Sequence, residues 1–273
     1  MKPLLLAVLA AYFVAAIHSV LAFVNKRRAL QRVSDYSVII GFGLHTAALA
    51  IDWAIDGRYP LLSLRETLSF LAWTIVAAYG VVLYRYGAQA LGVVAVPLVS
   101  ALTFVALFIK TGSPDASGPL AGSSAKWLLP VHATLLSFAY AALFVVFVAS
   151  VMYLLQEREL KLKTFSAIFH RLPSLTTVND IASASATIGL TLLTLGIATG
   201  MLLSTARDGR IWHNDPKEIT AALTWLLYVV LIAYRSTAQW RGRKAAWLGV
   251  AGFALVLFTF LGPRLMSSYH AFG

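Results

Sequence analysis

The sequence predicts an all-α fold: a polytopic membrane helix bundle of about eight transmembrane helices with both termini outside. Three observations carry this reading. Hydrophobic residues make up 59% of the 273 residues and charged residues only 12%, about half the charged share of a soluble domain. Apolar runs of about 18–25 residues recur from end to end, each long enough to cross a hydrocarbon core of roughly 30 Å as a helix. Most of the segments between them are short.

The spans lie near residues 3–24, 36–56, 66–84, 90–109, 129–155, 183–204, 217–235 and 244–263. The first, within "MKPLLLAVLAAYFVAAIHSVLAFV", is too long for the apolar part of a signal peptide, and no small-residue cleavage site follows it. Two connections stand out. "KTGSPDASGPLAGSSAK" (110–126) is rich in glycine, serine and proline, and 156–182 is broken by Pro173 in "RLPSL". Within the latter, "RELKLKTFSAIFHR" (158–171) has the pattern of an amphipathic interfacial helix. The seventh span has a marked start. Asp215-Pro216-Lys217-Glu218 places an acid at the N-cap, proline at the first helical position and glutamate at the third. There is no clear internal repeat and no soluble domain; residues 1–273 read as a single transmembrane domain.

Charge orients the bundle. Of 22 lysines and arginines, 13 fall after spans 1, 3, 5 and 7: Lys26, Arg27, Arg28, Arg32, Arg85, Arg158, Lys161, Lys163, Arg171, Arg235, Arg241, Arg243 and Lys244. That side is cytoplasmic by the positive-inside rule. The net charge of +11 is scattered over short loops and so does not point to nucleic acid. With no cysteine there is no disulfide, thiol chemistry or thiolate ligand. A transporter is disfavoured, since no pair of repeats with broken helices is visible. No self-contained catalytic constellation is present either.

Histidine carries the chemistry. His18 and His45 lie in spans 1 and 2, where such residues face a bundle interior or cavity. His45 suits either a helix–helix hydrogen bond or a ligand role. His132 opens span 5 on the outer side, His213 lies in the polar loop "RDGRIWHNDPKEIT" (207–220), and His270 lies near the end of the chain. His18 and His170 read as structural. Two outer histidines at the ends of different helices suit the two axial positions of an iron porphyrin. Trp212 has the shape to cover a porphyrin face, and Arg58, Arg65, Arg210 and Arg264 have the charge to pair with propionates. The competing reading of the outer histidines is hydrogen bonding to lipid headgroups. The tryptophans at 53, 73, 127, 225, 240 and 247 fall in most cases near predicted span ends, as an aromatic belt requires.

Several stretches together resemble one family. Residues 208–218 read Asp-Gly-Arg-Ile-Trp-His-Asn-Asp-Pro-Lys-Glu, similar to the tryptophan-rich signature of heme-handling membrane proteins in cytochrome c assembly, of the CcsA-like subunit type in the System II cytochrome c synthase. "GRYPLLSLRETLSFLAW", "LPVHATLLSFAYAAL", "RLPSLTTVNDIASASATIGLTLLTLGIATG", "WRGRKAAW" and the ending "SSYHAFG" fit in the same order. The resemblance implies a protein of the bacterial cytoplasmic (inner) membrane. It would present heme b, iron protoporphyrin IX, at the outer face for attachment to apocytochrome c, working with a second membrane subunit of the synthase. It matches His132 and His270 to the outer axial pair. It matches Trp212, Asp215, Pro216, Lys217 and Glu218 to the signature, and His45 to a second-span histidine. The departures are Asp208 and Asn214 where the signature has tryptophan, His213 where it has glycine, and Ala233 where the family often has a further histidine. In size the chain is similar to the HemX-like branch, whose implied role is regulatory or scaffolding, affecting heme-enzyme levels without delivering heme.

The charge bias makes one direct prediction. A reporter fused after Gly273 is expected to read as external. A cytoplasmic readout would overturn the orientation and the outer placement of the proposed site.

Overall fold

The computed structural model describes residues 2–57, 59, 61, 63–109, 127–163, 169–236 and 242–265, the side chains at 2, 56, 236 and 261–265 excepted. The helices are α1 (Lys2–Asn25), α2 (Arg28–Asp56), α3 (Leu64–Tyr86), α4 (Gly92–Phe108), α5 (Leu128–Leu162), α6 (Leu175–Asp208), α7 (Pro216–Ser236) and α8 (Arg243–Leu265). All eight contain a stretch long and apolar enough to cross a membrane. No strand occurs among the described residues. Large apolar side chains such as Phe13, Ile39, Ile55, Val81 and Leu202 lie more than half exposed, as they must where the solvent is lipid.

The helices cluster into two compact units, α1–α4 and α5–α8. In each, neighbours in sequence pack together and the last helix returns to the first. In the first unit α1 buries Val8, Tyr12, Ala15, Ser19 and Ala22, and α2 buries Ser34, Val38, His45 and Ala48. Both sets follow the alternating three- and four-residue spacing of a helix–helix seam. Tyr12 sits so close to Gly41 that a Cβ there would lie 2.7 Å from its ring.

In the second unit α5 and α6 pack along most of their length, and glycine allows it. A Cβ on Gly189 would meet Leu143 at 2.5 Å, one on Gly196 would meet Leu136 at 2.5 Å, and one on Gly200 would meet His132 at 2.7 Å. The steps along α6, seven residues and then four, match the steps along α5, so the three contacts share one antiparallel register. Small residues let helix backbones approach where no hydrophobic drive separates helix from lipid. Across the α7–α8 face, Gly252 faces Tyr228 in the same way.

Three helices differ from the spans read in sequence, each for a local reason. α2 begins at Arg28, eight residues earlier than expected, because its polar first turns are satisfied. Gln31 donates to Asp35 at 2.8 Å and Ser34 donates to the Ala15 carbonyl at 3.1 Å. α5 runs on to Leu162, its last turns carrying the Lys161–Glu157 ion pair at 2.7 Å. It ends where Lys163 turns left-handed at φ +54°. The interfacial helix expected over 158–171 is therefore not one element: 158–162 belong to α5, 164–168 lie outside the described residues, and Phe169–Arg171 form a single 3-10 turn. α6 starts at Leu175, where Ser174 Oγ accepts from the Thr177 N–H at 3.2 Å. Arg235 of α7 secures this early segment by donating to the Asn179 carbonyl at 3.2 Å and Ser183 Oγ at 2.6 Å.

The belt reading also divides. Trp53, Trp127 and Trp247 are exposed, whereas Trp73 donates to Thr46 Oγ1 and Trp225 to Thr194 Oγ1, both at 2.8 Å. These two fasten neighbouring helices. Trp240 lies outside the described residues.

The register contact is testable. Gly189→Val is expected to lower the thermal midpoint in detergent by the equivalent of about 1–3 kcal/mol, the usual cost of overpacking. Gly80→Ala, at an exposed glycine with nothing within 4 Å of the added carbon, is expected to leave the midpoint unchanged or raise it. Equal midpoints for the two variants would contradict the packing account.

Candidate functional site

The polar loop between α6 and α7 is a built structure. α6 stops at Asp208 because Gly209 takes φ +73° and returns its N–H to the Thr205 carbonyl at 2.9 Å. Asn214 is also left-handed, at φ +56°, a conformation asparagine tolerates better than most residues. The chain then enters α7 with Asp215 buried and its Oδ1 accepting from the Lys217 N–H at 2.8 Å. This is the N-cap expected from sequence, and it satisfies a donor that the helix cannot.

His213 is the hub of the loop. Its Nε2 lies 2.9 Å from Asp208 Oδ2 and its Nδ1 3.3 Å from Glu218 Oε1. Its own backbone N–H donates to Glu218 Oε2 at 2.7 Å. Ser204 adds two links: its hydroxyl donates to the Arg210 carbonyl at 2.8 Å, and its oxygen lies 3.2 Å from His213 Nδ1. One imidazole ring thus joins the end of α6, the loop and the first turn of α7. Each of its nitrogens faces a carboxylate oxygen. As an axial ligand it would have to give up one of those contacts.

With the polar hub turned inward, the loop presents Arg210, Ile211 and Trp212 outward, all three exposed. The Trp212 indole N–H donates to Asn214 Oδ1 at 2.8 Å, which sets the ring's orientation. Arg210 joins Asp208, His213 and Asp215 around a shallow open recess. The exposed set combines a flat aromatic face, an aliphatic side chain and a guanidinium. That combination suits an apolar disc with an anionic edge.

His132 lies in the first turns of α5. Its Nδ1 is 2.8 Å from the Gly196 carbonyl on α6. A carbonyl only accepts, so Nδ1 carries the proton, and in the neutral ring the lone pair lies on Nε2. Gly196 and Gly200, which face the His132 side of α5, are followed on α6 by Ser204, which holds the loop. Positions 196, 200 and 204 are four apart and share one face of the helix. His132 and the His213 hub therefore lie along a single stripe, their attachment points at Gly196 and Ser204 about 12 Å apart at 1.5 Å of rise per residue.

Of the residues singled out in sequence, His132, Arg210, Trp212 and Asp215 come together at one end of the second unit. His45 lies in the first unit, fully buried, with Nδ1 3.3 Å from the Tyr12 hydroxyl and Nε2 2.9 Å from Ser69 Oγ. It links α1, α2 and α3 as an internal hydrogen-bonding group. Arg58 and His270 lie outside the described residues, as does the side chain of Arg264. His18 Nδ1 donates to the Val14 carbonyl of its own helix turn at 2.8 Å.

Reading by sequence missed Ser204, Asp208, Gly200 and the second task of Glu218. The one available signal was spacing: Asp208 and Glu218 stand five residues either side of His213.

The family model described as cytochrome C assembly protein matches residues 61–270. The chain is also similar to proteins named cytochrome c biogenesis protein CcsA. One from Prochlorococcus marinus (strain MIT 9301) is 28% identical over 273 residues, covering 93% of this chain and 88% of its own length. One from Microcystis aeruginosa (strain NIES-843 / IAM M-2473) is 28% identical and covers 83% of each. One from Mesostigma viride is 25% identical over 279 residues, covering 94% and 91%.

The cap supplies a test. Asp215→Ala is expected to destabilise the start of α7 by about 1 kcal/mol, as for an ordinary N-cap, while Asp215→Asn, which keeps the acceptor, is expected to recover most of it. Thermal unfolding that does not distinguish alanine from asparagine would refute the cap assignment.

Proposed function

We propose that this chain, a multi-pass membrane protein that belongs to the cytochrome C assembly protein family and acts in cytochrome c assembly, does so by holding heme. In this reading the chain works as one domain over residues 1–273. Heme is its cargo, iron protoporphyrin IX, held at the outer face of the bacterial cytoplasmic membrane. It is passed on to apocytochrome c together with a second membrane subunit.

The observation that carries this reading is the His132–Gly196 bond of 2.8 Å. It places a proton on Nδ1, so that Nε2 is the nitrogen that would meet a metal in the neutral ring. Iron in a porphyrin offers two axial positions. His132 takes one of them and His270 the other. Arg210 pairs with a propionate, with Arg58 as a second cation, and Trp212 lies against the porphyrin. Asp215 acts at one remove, by seating the loop on α7. His45 contributes only if it exchanges Tyr12 or Ser69 for iron. The built loop supports the reading as well, since a loop that served only to cap α7 has no use for an outward tryptophan and arginine.

The decisive measurement is the absorption spectrum of the purified protein. A Soret band with sharp low-spin bands on reduction is expected. His132→Ala is expected to lower the heme content, and added imidazole to restore part of it. Gly200→Ala, whose new carbon would lie 2.7 Å from the His132 ring, is expected to weaken the same bands without removing the imidazole. His270→Ala should act like His132→Ala, and His170→Ala should have no effect. Loss of heme in His213→Ala but not in His270→Ala would reassign the second ligand. A colourless wild-type protein would leave the regulatory or scaffolding role in place of heme handling.

A further inference from the structure

The first unit gathers positive charge at one end. Ser34 of α2 donates to the Ala15 carbonyl of α1, so the two helices lie side by side and the end of α1 meets the start of α2. Only Lys26 and Arg27 separate them. Lys26 is left-handed at φ +54°, a conformation that glycine or asparagine adopts more readily. Its N–H returns to the Ala22 carbonyl at 2.8 Å. This tight turn places Lys26, Arg27 and Arg28 next to one another, all exposed. Arg32, also exposed, follows Arg28 by four residues on the same face of α2.

A fifth base comes from far along the chain. Arg171–Pro173 cluster with the first unit, although the helices on either side of them belong to the second. The Arg171 guanidinium lies 5.6 Å from the centre of the Phe23 ring, a cation–π contact. Phe23 is in the last turn of α1, so Arg171 is held beside the α1–α2 turn.

These charges are uncompensated. None of the five side chains has an ion pair or hydrogen bond among the described residues. Asp35 is the one acid in the sequence before Asp52, and its Oδ1 accepts from Gln31. Several bases of the second unit, by contrast, have protein partners. Lys161 and Arg243 reach Glu157 at 2.7 and 3.9 Å, and Arg235 donates to Ser183 at 2.6 Å. Neighbouring cations repel one another, and a bound anion would relieve that repulsion. Apolar side chains run right up to the charges. Leu21 and Val24 on α1, and Val33 and Tyr36 on α2, are exposed, as side chains that meet hydrocarbon are. The bases therefore stand where phospholipid headgroups lie.

We infer that this end of the first unit is a binding surface for anionic phospholipid. The headgroup phosphate pairs with the bases of the α1–α2 turn, and Arg171 flanks it from its seat on Phe23. A zwitterionic headgroup would bring its own cation against five others, whereas a net negative one does not. A soluble acidic partner would have to displace headgroups already at that level. Orienting a chain across a membrane needs bases on one side. It does not need them adjacent, nor an arginine from a distant segment drawn in over an aromatic ring. The inference depends neither on the heme reading nor on which face of the membrane this end meets.

The test uses the full chain reconstituted in nanodiscs of phosphatidylcholine and phosphatidylglycerol in equal parts, then released into detergent for native mass spectrometry. Phosphatidylglycerol is expected to be retained at least tenfold over phosphatidylcholine. Arg28→Gln is expected to lower that ratio about fivefold, the usual worth of one base at an anionic surface. Arg171→Gln is expected to act in the same direction, and Arg171→Lys, which keeps the charge, to restore most of the ratio. Arg158→Gln removes the same charge from α5, between Glu157 and Glu159, and is expected to leave the ratio unchanged. Salt at about 1 M is expected to weaken the preference, since it screens exposed charges. Thermal unfolding of each variant separates a lost contact from a lost fold. A retained ratio equal to that of the disc would overturn the proposal and leave the patch to an acidic protein. Equal effects of Arg28→Gln and Arg158→Gln would overturn it too, because net charge alone would then be acting. So would displacement of the lipid by inorganic phosphate at about 50 mM, well below the ionic strength that screens, since a free anion would then be the ligand.

Discussion

The close approach of α5 and α6 is the constraint on which the candidate site rests. A histidine at the start of a membrane helix has several ways to satisfy its ring, and most of them leave its proton position undefined. Here a backbone carbonyl on the facing helix accepts from Nδ1, and it comes within reach only because Gly196 and Gly200 carry no side chain. The same face of α6 then supplies Ser204, which anchors the loop. Packing, tautomer and loop position are thus consequences of one interhelical distance. A bulkier residue at either glycine would change all three together.

The first unit handles buried polarity differently. Tyr12, His45 and Ser69 satisfy one another across three helices. Unsatisfied polar groups are costly in a low-dielectric interior, and a closed set of this kind avoids that cost while specifying which helix faces which. The two units therefore use the same helix connectivity for different ends. One closes its imidazole between a tyrosine and a serine, and the other bonds an imidazole to a backbone carbonyl of the facing helix.

Much of the fold was legible in the sequence because lipid imposes a simple rule on composition. Uninterrupted apolar runs marked all eight helices, and Asp215-Pro216 marked the start of α7. The ends were less legible. Polar turns such as 28–35 and 175–182 look like loops, yet they remain helical because partners on the same or a facing helix satisfy them. At the site, histidine and tryptophan were conspicuous, since they stand side by side in the most polar loop between two apolar runs. The glycines that position His132 were not, because their effect depends on a helix facing them from 64 residues away. Glu218 read as a capping residue, and its bond to His213 follows from a loop conformation that no local pattern encodes.

The length of α5 and α6 has a mechanical consequence. At 35 and 34 residues each is roughly 50 Å long, well beyond the hydrocarbon thickness of about 30 Å. Glycine holds them in one register, and the two pack side by side along most of their length. A rod of this length acts as a lever. A tilt of about 10° about its midpoint moves each end by roughly 4 Å, taking the rise per residue as the measure of length. Such a tilt carries the charged end near Glu157 and Lys161 one way and the opposite end, which bears His132, the other.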